Sequence, residues 1–279
     1  MPTPTDPLVA ADPETIRALV LAQVARGPVV PAELLRTLCA GAGRPRAAVQ
    51  AAIRDLVAAG EIAYTLEHGR SVLEPSFDRP VRVSDRITLA PPEKCDAPPA
   101  GGVLVRLAAG AAFGAGRHPT TRLALRGIDL ALKPGTGRVG GGSRVLDVGT
   151  GTGVLAIAAV ALGMAGGLGI DHDPCAIAEA RHNLCLNGME DCLVISDQTL
   201  VDIDESFALV AANLRTPSLV GLSGTLRGRL APSGALVISG MRTEERAAVV
   251  AAIEGVGLRT VWQEEEGGWA AVLLEQSSK

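Results

Sequence analysis

Residues 144–153 read Arg-Val-Leu-Asp-Val-Gly-Thr-Gly-Thr-Gly. An apolar strand pattern fills the first half, a glycine turn fills the second, and an apolar helix pattern begins at Val154. Glycines at these positions let the backbone turn sharply and approach a ligand where a Cβ would intrude. The helix that follows offers its free N-terminal amides to the same space. The stretch therefore predicts a nucleotide site in which Gly149, Gly151 and Gly153 lie against the ligand.

Two acidic residues narrow the choice of nucleotide. Asp147 lies just before the first glycine, where its carboxylate would repel a pyrophosphate and attract a cationic group. Asp171 ends the next apolar run, about 20 residues beyond the turn, where a ribose is held in such folds. S-adenosylmethionine has a cationic amino acid end and a ribose but no phosphate, so it fits best. A nicotinamide cofactor, or a plain strand-to-helix turn with surface aspartates, is the alternative.

Composition sets the broad class. The 279 residues suffice for one large and one small domain. Hydrophobic residues make up 47% and aromatic residues only 2%, so the core must be aliphatic, as in a buried parallel sheet. A net charge of -4 gives no overall basic field for nucleic acid or an anionic membrane.

The cysteines and the apolar stretches indicate a location. Five scattered cysteines have no zinc-ligand spacing, so we expect reduced thiols and no metal; they are Cys39, Cys95, Cys175, Cys185 and Cys192. The polar, proline-rich start, Met-Pro-Thr-Pro-Thr-Asp, argues against a secretory signal. Glycines interrupt the uncharged segment 148–170, which argues against a membrane helix. Together these features predict a cytoplasmic protein.

The first 75 residues form their own pattern. Apolar residues recur at helical spacing over 12–25, after Pro31 and over 45–59. Two alternating strand patterns follow, at 61–64 and 71–74, around His68-Gly69. Three helices and a hairpin predict a winged-helix domain over residues 1–75. Arg44, Arg46 and Arg54 could meet phosphates, but acidic neighbours leave the segment roughly neutral. A protein-docking or structural role is therefore favoured over nucleic-acid binding.

The remaining chain predicts a linker and a larger domain. Residues 76–102 are proline-rich and carry one or two strands, with the clearest at 86–89. Strand and helix patterns then alternate over 103–279, which predicts a Rossmann-like, doubly wound α/β domain with seven strands. Ligands bind at the carboxyl ends of such strands. Asp147, Asp171, Asp197 and Asn213 all lie there.

A second conspicuous stretch precedes a helix. Residues 111–125 read Ala-Ala-Phe-Gly-Ala-Gly-Arg-His-Pro-Thr-Thr-Arg-Leu-Ala-Leu. A loop of this composition can fold over a ligand and present amides and hydroxyls to it. By itself the pattern could equally be a capped helix start, with Thr120 or Thr121 bonding the first turn.

Three blocks together resemble one family of enzymes. The blocks are AFGAGRHPTTRLAL at 112–125, VLDVGTGTGVLAIAA with GIDHDP from 145 to 174, and VAANL at 210–214. They are similar to the PrmA family, which uses S-adenosylmethionine to methylate amino groups of ribosomal protein eleven of the large subunit. The segments LVISGM and EGGWAAVLL extend the resemblance over roughly residues 103–275.

The resemblance implies roles for individual residues. Thr121 would contact the cofactor, Gly149 would lie against it, and Asp171 would hold its ribose. Asn213 would sit between the methyl group and the incoming amine, and so is the expected catalytic residue. The chain departs from the family at Ala115, where the family usually has Thr, and in its first domain, where the family has a ferredoxin-like unit.

These features predict a protein N-methyltransferase acting on lysine or N-terminal amines. Aligning an amine lone pair with the methyl carbon can supply much of the acceleration. His118 is the candidate base, although a histidine before a proline is more often structural. The alternatives are an RNA or small-molecule methyltransferase, and a winged-helix regulator that senses S-adenosylmethionine. Leu214 and Arg215 follow Asn213 without an aromatic platform for a base, which disfavours nucleic acid as the acceptor.

Overall fold

The computed structural model describes residues 12–67, 69–93, 98, 100–138 and 142–276 and divides the chain into two compact units, Met1–Arg79 and Pro80–Lys279. Three positions used in the sequence analysis lie outside the described residues. They are residues 1–6, which argue against a secretory signal, the hairpin residue His68, and Cys95. Cys39, Cys175, Cys185 and Cys192 are free thiols.

Three helices and a hairpin build the first unit. The elements are α1 Pro13–Val24, α2 Pro31–Arg36 with a π-helical turn Thr37–Gly41, α3 Arg46–Ala58, β1 Ile62–Glu67 and β2 Arg70–Pro75. Asp12 caps α1 by accepting a hydrogen bond from the Thr15 amide at 2.9 Å, as the sequence predicts. β1 and β2 pair antiparallel, and Val29 adds a single bridge to Leu73.

An aliphatic cluster holds the first unit together. Side chains at helical spacing on α1 and α3, and inward residues of α2 and the hairpin, form one buried group. Its members are Ile16, Val20, Val24, Leu34, Leu35, Leu38, Val49, Ala52, Ile53, Leu56, Ile62 and Leu73. The unit therefore has a core of its own, as an independent domain requires.

The second unit starts with a small sheet. β3 Val81–Arg82, β4 Ile87–Ala90 and β5 Val103–Arg106 form it in that order, with β4 and β5 parallel. The segment predicted as a linker, 76–102, thus carries two of these strands where it is described. Asn187 fixes β5 to the rest of the unit: its side chain accepts from the Arg106 amide and donates to the Arg106 carbonyl, at 2.9 and 2.8 Å.

Strands and helices then alternate as predicted. The helices are α4 Pro119–Ala131, α5 Val154–Ala161, α6 Pro174–Asn187, α7 Thr216–Gly221, α8 Ser223–Gly228 and α9 Arg246–Glu254. The strands are β6 Arg144–Val148, β7 Gly166–Ile170, β8 Leu193–Ser196, β9 Phe207–Asn213, β10 Leu230–Arg242, β11 Leu258–Glu266 and β12 Trp269–Gln276. Aliphatic side chains from the sheet and from α7 and α9 fill its core.

These seven strands form one sheet in the order β11-β12-β10-β9-β6-β7-β8. Neighbours from β8 to β10 are parallel, whereas β12 runs antiparallel to both β10 and β11. The predicted doubly wound α/β fold with an antiparallel edge is confirmed. Because strand order reverses between β6 and β9, a crevice is expected at the carboxyl ends of those two strands.

The structure corrects two details of the predicted domain. The single helix expected over about 218–230 is two short helices separated at Leu222. Gly221, Gly224 and Gly228 explain the break, because glycine weakens helix interiors. The strand expected at 235–239 extends from Leu230 to Arg242 and carries an irregularity between Leu230 and Ala235, where Ser233 adopts a positive φ of 61°.

No helix within the described ranges is both long and apolar enough to cross a bilayer. The apolar segment 148–170 instead supplies the end of β6, the glycine turn, α5 and β7.

Candidate active site

The glycine turn folds over the end of β7. All three glycines have positive φ, 71°, 55° and 81° at Gly149, Gly151 and Gly153. The amides of Gly149 and Thr150 both donate to the Ile170 carbonyl at 2.9 Å. The turn therefore needs glycine for its backbone conformation, as the sequence predicts.

The structure adds a packing reason for two of the glycines. A Cβ on Gly151 would run into the Phe113 carbonyl, and one on Gly153 would lie 3.3 Å from the Ala180 Cβ. Protein atoms therefore already occupy the space beside Gly151 and Gly153, and a ligand is not needed to explain glycine at these two positions. At Gly149 the nearest group is the end of the Leu214 side chain, which can rotate away. Gly149 is therefore the turn residue best placed to meet a ligand.

Asp147 lies on β6 and is completely buried. Its Oδ2 accepts hydrogen bonds from the Thr150 hydroxyl at 2.7 Å and the Ala156 amide at 3.3 Å, so it braces the turn and the start of α5. Its Oδ1 is buried with no hydrogen-bond partner among the described residues. Burial raises the pKa of Asp147 to about 6, and the nearby Asp171 charge adds to the shift. The predicted attraction of a cation to Asp147 would compensate that unpaired oxygen.

Asp171 stands directly after β7. Its Oδ2 accepts from the Gly151 amide at 2.9 Å and its Oδ1 from the Asp173 amide at 3.1 Å, and its side chain is 11% exposed. These bonds orient the carboxylate and leave lone pairs for further donors. A cavity of about 330 Å³ beside it is lined by His172, Pro174, Ile177, Ala178, Arg181 and Asp197. Asp197 follows β8, so the ends of two neighbouring strands bound one space.

The loop at 110–118 is fastened to the turn. The Glu179 carboxylate on α6 accepts from the amides of Ala111 and Ala112, at 2.7 and 3.0 Å. The Thr152 amide donates to the Phe113 carbonyl at 3.0 Å. Gly110 allows the approach of Glu179, since a Cβ there would occupy the position of the carboxylate. The loop thus covers the turn.

A second cavity, of about 300 Å³, lies where β9 ends at Asn213. It is lined by Phe113, His118, Thr120, Asn213, Leu214, Arg215, Gly240 and Trp269. The His118 ring stands between two aromatic rings, 5.2 Å from that of Phe113 and 4.8 Å from that of Trp269 between centroids. Two of the chain's six aromatic residues therefore lie in one cavity.

Asn213 is the last residue of β9 and pairs in register with Ser239 of β10. The Leu214 amide donates to the Ser239 carbonyl at 3.0 Å, and Gly240 permits this close approach because a Cβ there would meet the Leu214 backbone. The Asn213 side chain is thus placed in the cavity by two paired strands. The structure brings it and the glycine turn to the same edge of the sheet.

The paired threonines differ in position. Thr120 lines the cavity, and its hydroxyl lies 2.8 Å from His118 Nδ1. Both threonines are 1% exposed, but the hydroxyl of Thr121 has no hydrogen-bond partner among the described residues. His118 also caps α4, since its Nδ1 accepts from the Thr120 amide at 3.3 Å. The candidate base therefore has a structural task at one of its two ring nitrogens.

Sequence reasoning missed several residues of this site. It did not single out Phe113, Trp269 or His172 as lining residues, nor Glu179 as the fastening of the loop. Phe and Trp are so rare in this chain that their positions are a usable signal. Nothing in the sequence marked Glu179, because a glutamate on a helix is ordinarily a solvated surface residue. Across the described ranges, no group of three or more His, Cys, Asp or Glu side chains is arranged to hold a metal ion.

The strand order of the sheet, the glycine turn after β6 and the acidic residue Asp171 after β7 define a Rossmann-like methyltransferase domain. Residues 75–277 match the model of the family described as ribosomal protein L11 methyltransferase (PrmA). The chain belongs to the PrmA family.

Individual relatives agree with this assignment. The chain is 39% identical over 194 residues to the ribosomal protein L11 methyltransferase of Geobacter sulfurreducens, covering 70% of this chain and 62% of the relative. It is 33% identical over 202 residues to that of Listeria monocytogenes, covering 72% and 62%. A crystal structure of ribosomal protein L11 methylase from Lactobacillus delbrueckii subsp. bulgaricus superposes with a TM-score of 0.63 at 27% identity, over 72% of this chain and all of that one.

The similarity to these relatives covers only part of each chain. The chain spans about 62% of the length of these curated relatives, and the family match begins at residue 75, where the first unit is almost complete. The shared part is therefore the α/β unit.

Proposed function

We propose that the chain is an S-adenosylmethionine-dependent methyltransferase that methylates amino groups of a protein, at lysine side chains or an N-terminal amine. A ribosomal protein of the L11 type is the proposed acceptor, since the relatives are named for that substrate. One observation carries the proposal: a cavity beside Asp171 and a cavity beside Asn213 open at the same edge of one sheet, with the glycine turn between those residues in the strand order.

The residues at the turn fit this cofactor. Asp171 has lone pairs for two ribose hydroxyls, and Asp197 can accept from an exocyclic amino group in the adjoining cavity. Gly149 gives the backbone access to the ligand. The buried, unpaired oxygen of Asp147 and the unpartnered hydroxyl of Thr121 are polar groups that a cationic amino acid end could satisfy.

Gly151 and Gly153 complete the proposed cofactor site by shaping the turn. When bound, S-adenosylmethionine supplies an electrophilic methyl group on a sulfonium.

Asn213 is the proposed catalytic residue. Its side-chain carbonyl can accept from an amine N–H and turn the lone pair toward the methyl group, so the contribution is alignment. The apolar and aromatic lining of the cavity suits the alkyl stem of a lysine and excludes water, which favours an unprotonated amine. With Nδ1 of His118 used as a helix cap, proton loss to solvent before binding is the simpler route.

Calorimetry and a transfer assay test the proposal. We expect saturable binding of S-adenosylmethionine, and transfer of labelled methyl groups to a bacterial L11 protein. The control acceptor is the same L11 with its amines acetylated, which must take no label. Absence of cofactor binding would overturn the proposal. Binding with transfer only to RNA or small molecules would reject the protein acceptor.

We propose that residues 1–75 form a winged-helix domain, which 76–102 joins to the methyltransferase domain of 103–279. The three helices, the hairpin and the bridge from Val29 to Leu73 support this topology. A docking or structural role is favoured over nucleic-acid binding, since Arg46 and Arg54 are exposed on α3 but share its surface with Asp55. Tight binding of random duplex DNA that weakens steeply with salt would reverse that preference.

The proposed site of action is the cytoplasm, where ribosomal proteins are made. The four free cysteines of the described chain suit a reducing compartment.

A further inference from the structure

A buried ion pair joins α4 to the end of β11. Arg122 and Glu266 are each 5% exposed. Glu266 Oε1 accepts from Arg122 Nη2 at 2.5 Å and from Arg122 Nε at 2.8 Å. The cost of removing both charges from water can cancel their attraction, so a net gain in stability does not by itself account for this buried pair.

Arg122 also holds the loop that carries Phe113 and His118. Its Nη1 donates to the Gly116 carbonyl at 3.1 Å and to the Arg117 carbonyl. These two residues directly precede His118, whose ring packs against both Phe113 and Trp269. One guanidinium thus fixes the backbone next to the histidine at the centre of the aromatic group.

Glu266 connects the same guanidinium to the opposite wall. It is the last residue of β11, and the turn Gly267-Gly268 leads from it to Trp269, the first residue of β12. Trp269 lines the cavity from this side. Arg122 therefore touches the loop before His118 and the strand end before Trp269 at once.

The neighbouring Arg126 also pairs with Glu266 but, among the described residues, does not bond to the loop, so it is a control for the ion pair alone. It lies one helical turn along α4 and also pairs with Glu266, at 2.8 Å, and with Glu264 at 2.6 Å. Its remaining described contact is the Val83 carbonyl, away from the loop at 116–117. If Arg122 is lost, Glu266 keeps a cationic partner, whereas the loop carbonyls lose their donor.

We propose that Arg122 is a positioning residue that sets the spacing between the loop bearing Phe113 and His118 and the hairpin bearing Trp269. This fixes the width of the acceptor cavity, and it rests on the proposed methyltransferase function. Substitution of Arg122 should weaken use of the amine acceptor and leave cofactor binding intact, because the turn and Asp171 are held by other bonds.

The test compares Arg122→Met with the matched control Arg126→Met. We expect Arg122→Met to lower kcat/KM for L11 by about 10²-fold, with a fall in kcat as well as a rise in KM, because a misplaced cavity wall misaligns the bound amine. The cofactor Kd should change by less than about threefold, a factor worth under 1 kcal/mol. Arg122→Lys, which keeps one charged donor, should restore part of the loss.

A spectroscopic readout makes the test independent of activity. The chain has two tryptophans, so Trp262→Phe leaves Trp269 as the single tryptophan, which is excited at a wavelength where Tyr64 does not absorb. In that background Arg122→Met should shift the emission and raise the acrylamide quenching of Trp269, and Arg126→Met should not. Equal effects of the two arginine variants on quenching, or unchanged quenching in both, would overturn the proposal.

The two proposals fail in distinguishable ways. If the unsubstituted protein neither binds S-adenosylmethionine nor transfers methyl groups, the proposed function fails, while the quenching comparison still reports on the Arg122 contact. If Arg122→Met does not fold, Arg122→Gln, whose shorter uncharged side chain cannot reach both walls, is measured in its place, and unaltered quenching with unaltered kcat/KM in that variant would count against positioning.

Discussion

The two sides of the site are built differently. The proposed cofactor side, which comprises Asp147, the glycine turn and Asp171, is contained in about 25 consecutive residues and consists of carboxylates and backbone amides. The proposed acceptor side, which comprises Phe113, His118, Asn213 and Trp269, is gathered from segments up to 156 residues apart and is largely aromatic. A site for a fixed nucleotide can be local, whereas a site for a protein side chain is assembled by the sheet.

The largest expected effect is on the acceptor side. Asn213→Ala should lower kcat by about 10³-fold, because alignment of the amine depends on a side chain held at the end of β9. Cofactor affinity should fall much less than kcat. Steady-state transfer to L11 and calorimetry measure the two quantities. Gln263→Ala removes an exposed amide from the same sheet and serves as the control; a similar loss in that variant would remove the special role of Asn213.

The next effect is on the cofactor side. Asp171→Ala should weaken S-adenosylmethionine binding by about 100-fold, the loss of one or two charge-assisted hydrogen bonds. Calorimetric Kd values measure it, and melting temperatures show whether the turn survives the loss of the Gly151 bond. Asp191→Ala removes an exposed carboxylate two residues before β8, and this variant should bind the cofactor normally. Unchanged affinity in Asp171→Ala would contradict the assignment of the ribose site.

A third prediction concerns the stability cost of the buried carboxyl on the cofactor side. The pKa of Asp147 is about 6 in the folded protein against 3.8 for the free side chain. Between these values the folded state holds more protons than the unfolded state, so this group's contribution to stability falls as pH rises. The full shift corresponds to about 3 kcal/mol.

Asp147→Asn should therefore raise the free energy of unfolding at pH 7.5 by roughly half that amount, because the new amide must still find partners. At pH 4 the two proteins should be nearly equal. Urea unfolding from pH 4 to pH 7.5 measures the difference, with Asp191→Asn as the control for simple charge removal. A constant difference across this range would show that Asp147 is not the source of the pH dependence. Cofactor affinity should fall in the same variant.

The smallest effect is expected at the exposed aromatic of the acceptor side. Phe113 is 54% exposed, so Phe113→Ala loses little stability. It should raise the KM for L11 about 5- to 10-fold, since one aromatic contact is worth about 1 kcal/mol. Val194→Ala, at a residue 56% exposed in the same unit, is the matched control. An unchanged KM would mean that the acceptor enters without touching the loop.

Local patterns predicted much of the molecule. Asp12 and Pro13 predicted the start of α1, the alternating stretches predicted the hairpin, and the aliphatic runs predicted the parallel sheet. The broken helix at 216–228 was missed because leucine spacing continues through glycines that interrupt the backbone. On the site, the turn glycines were recognised, but the closeness of the Phe113 carbonyl to Gly151 was not visible, since it joins segments almost 40 residues apart.

By itself the sequence determined the α/β class, the glycine turn and the two carboxylates near it, because strand, turn and helix preferences act over a few residues. Only the tertiary structure decided that Asp147 is buried with one oxygen unpaired among the described residues, that Glu179 fastens the loop, and that Arg122 bonds both to the loop before His118 and to Glu266. Those contacts depend on the order and register of seven strands, which no short stretch of sequence contains.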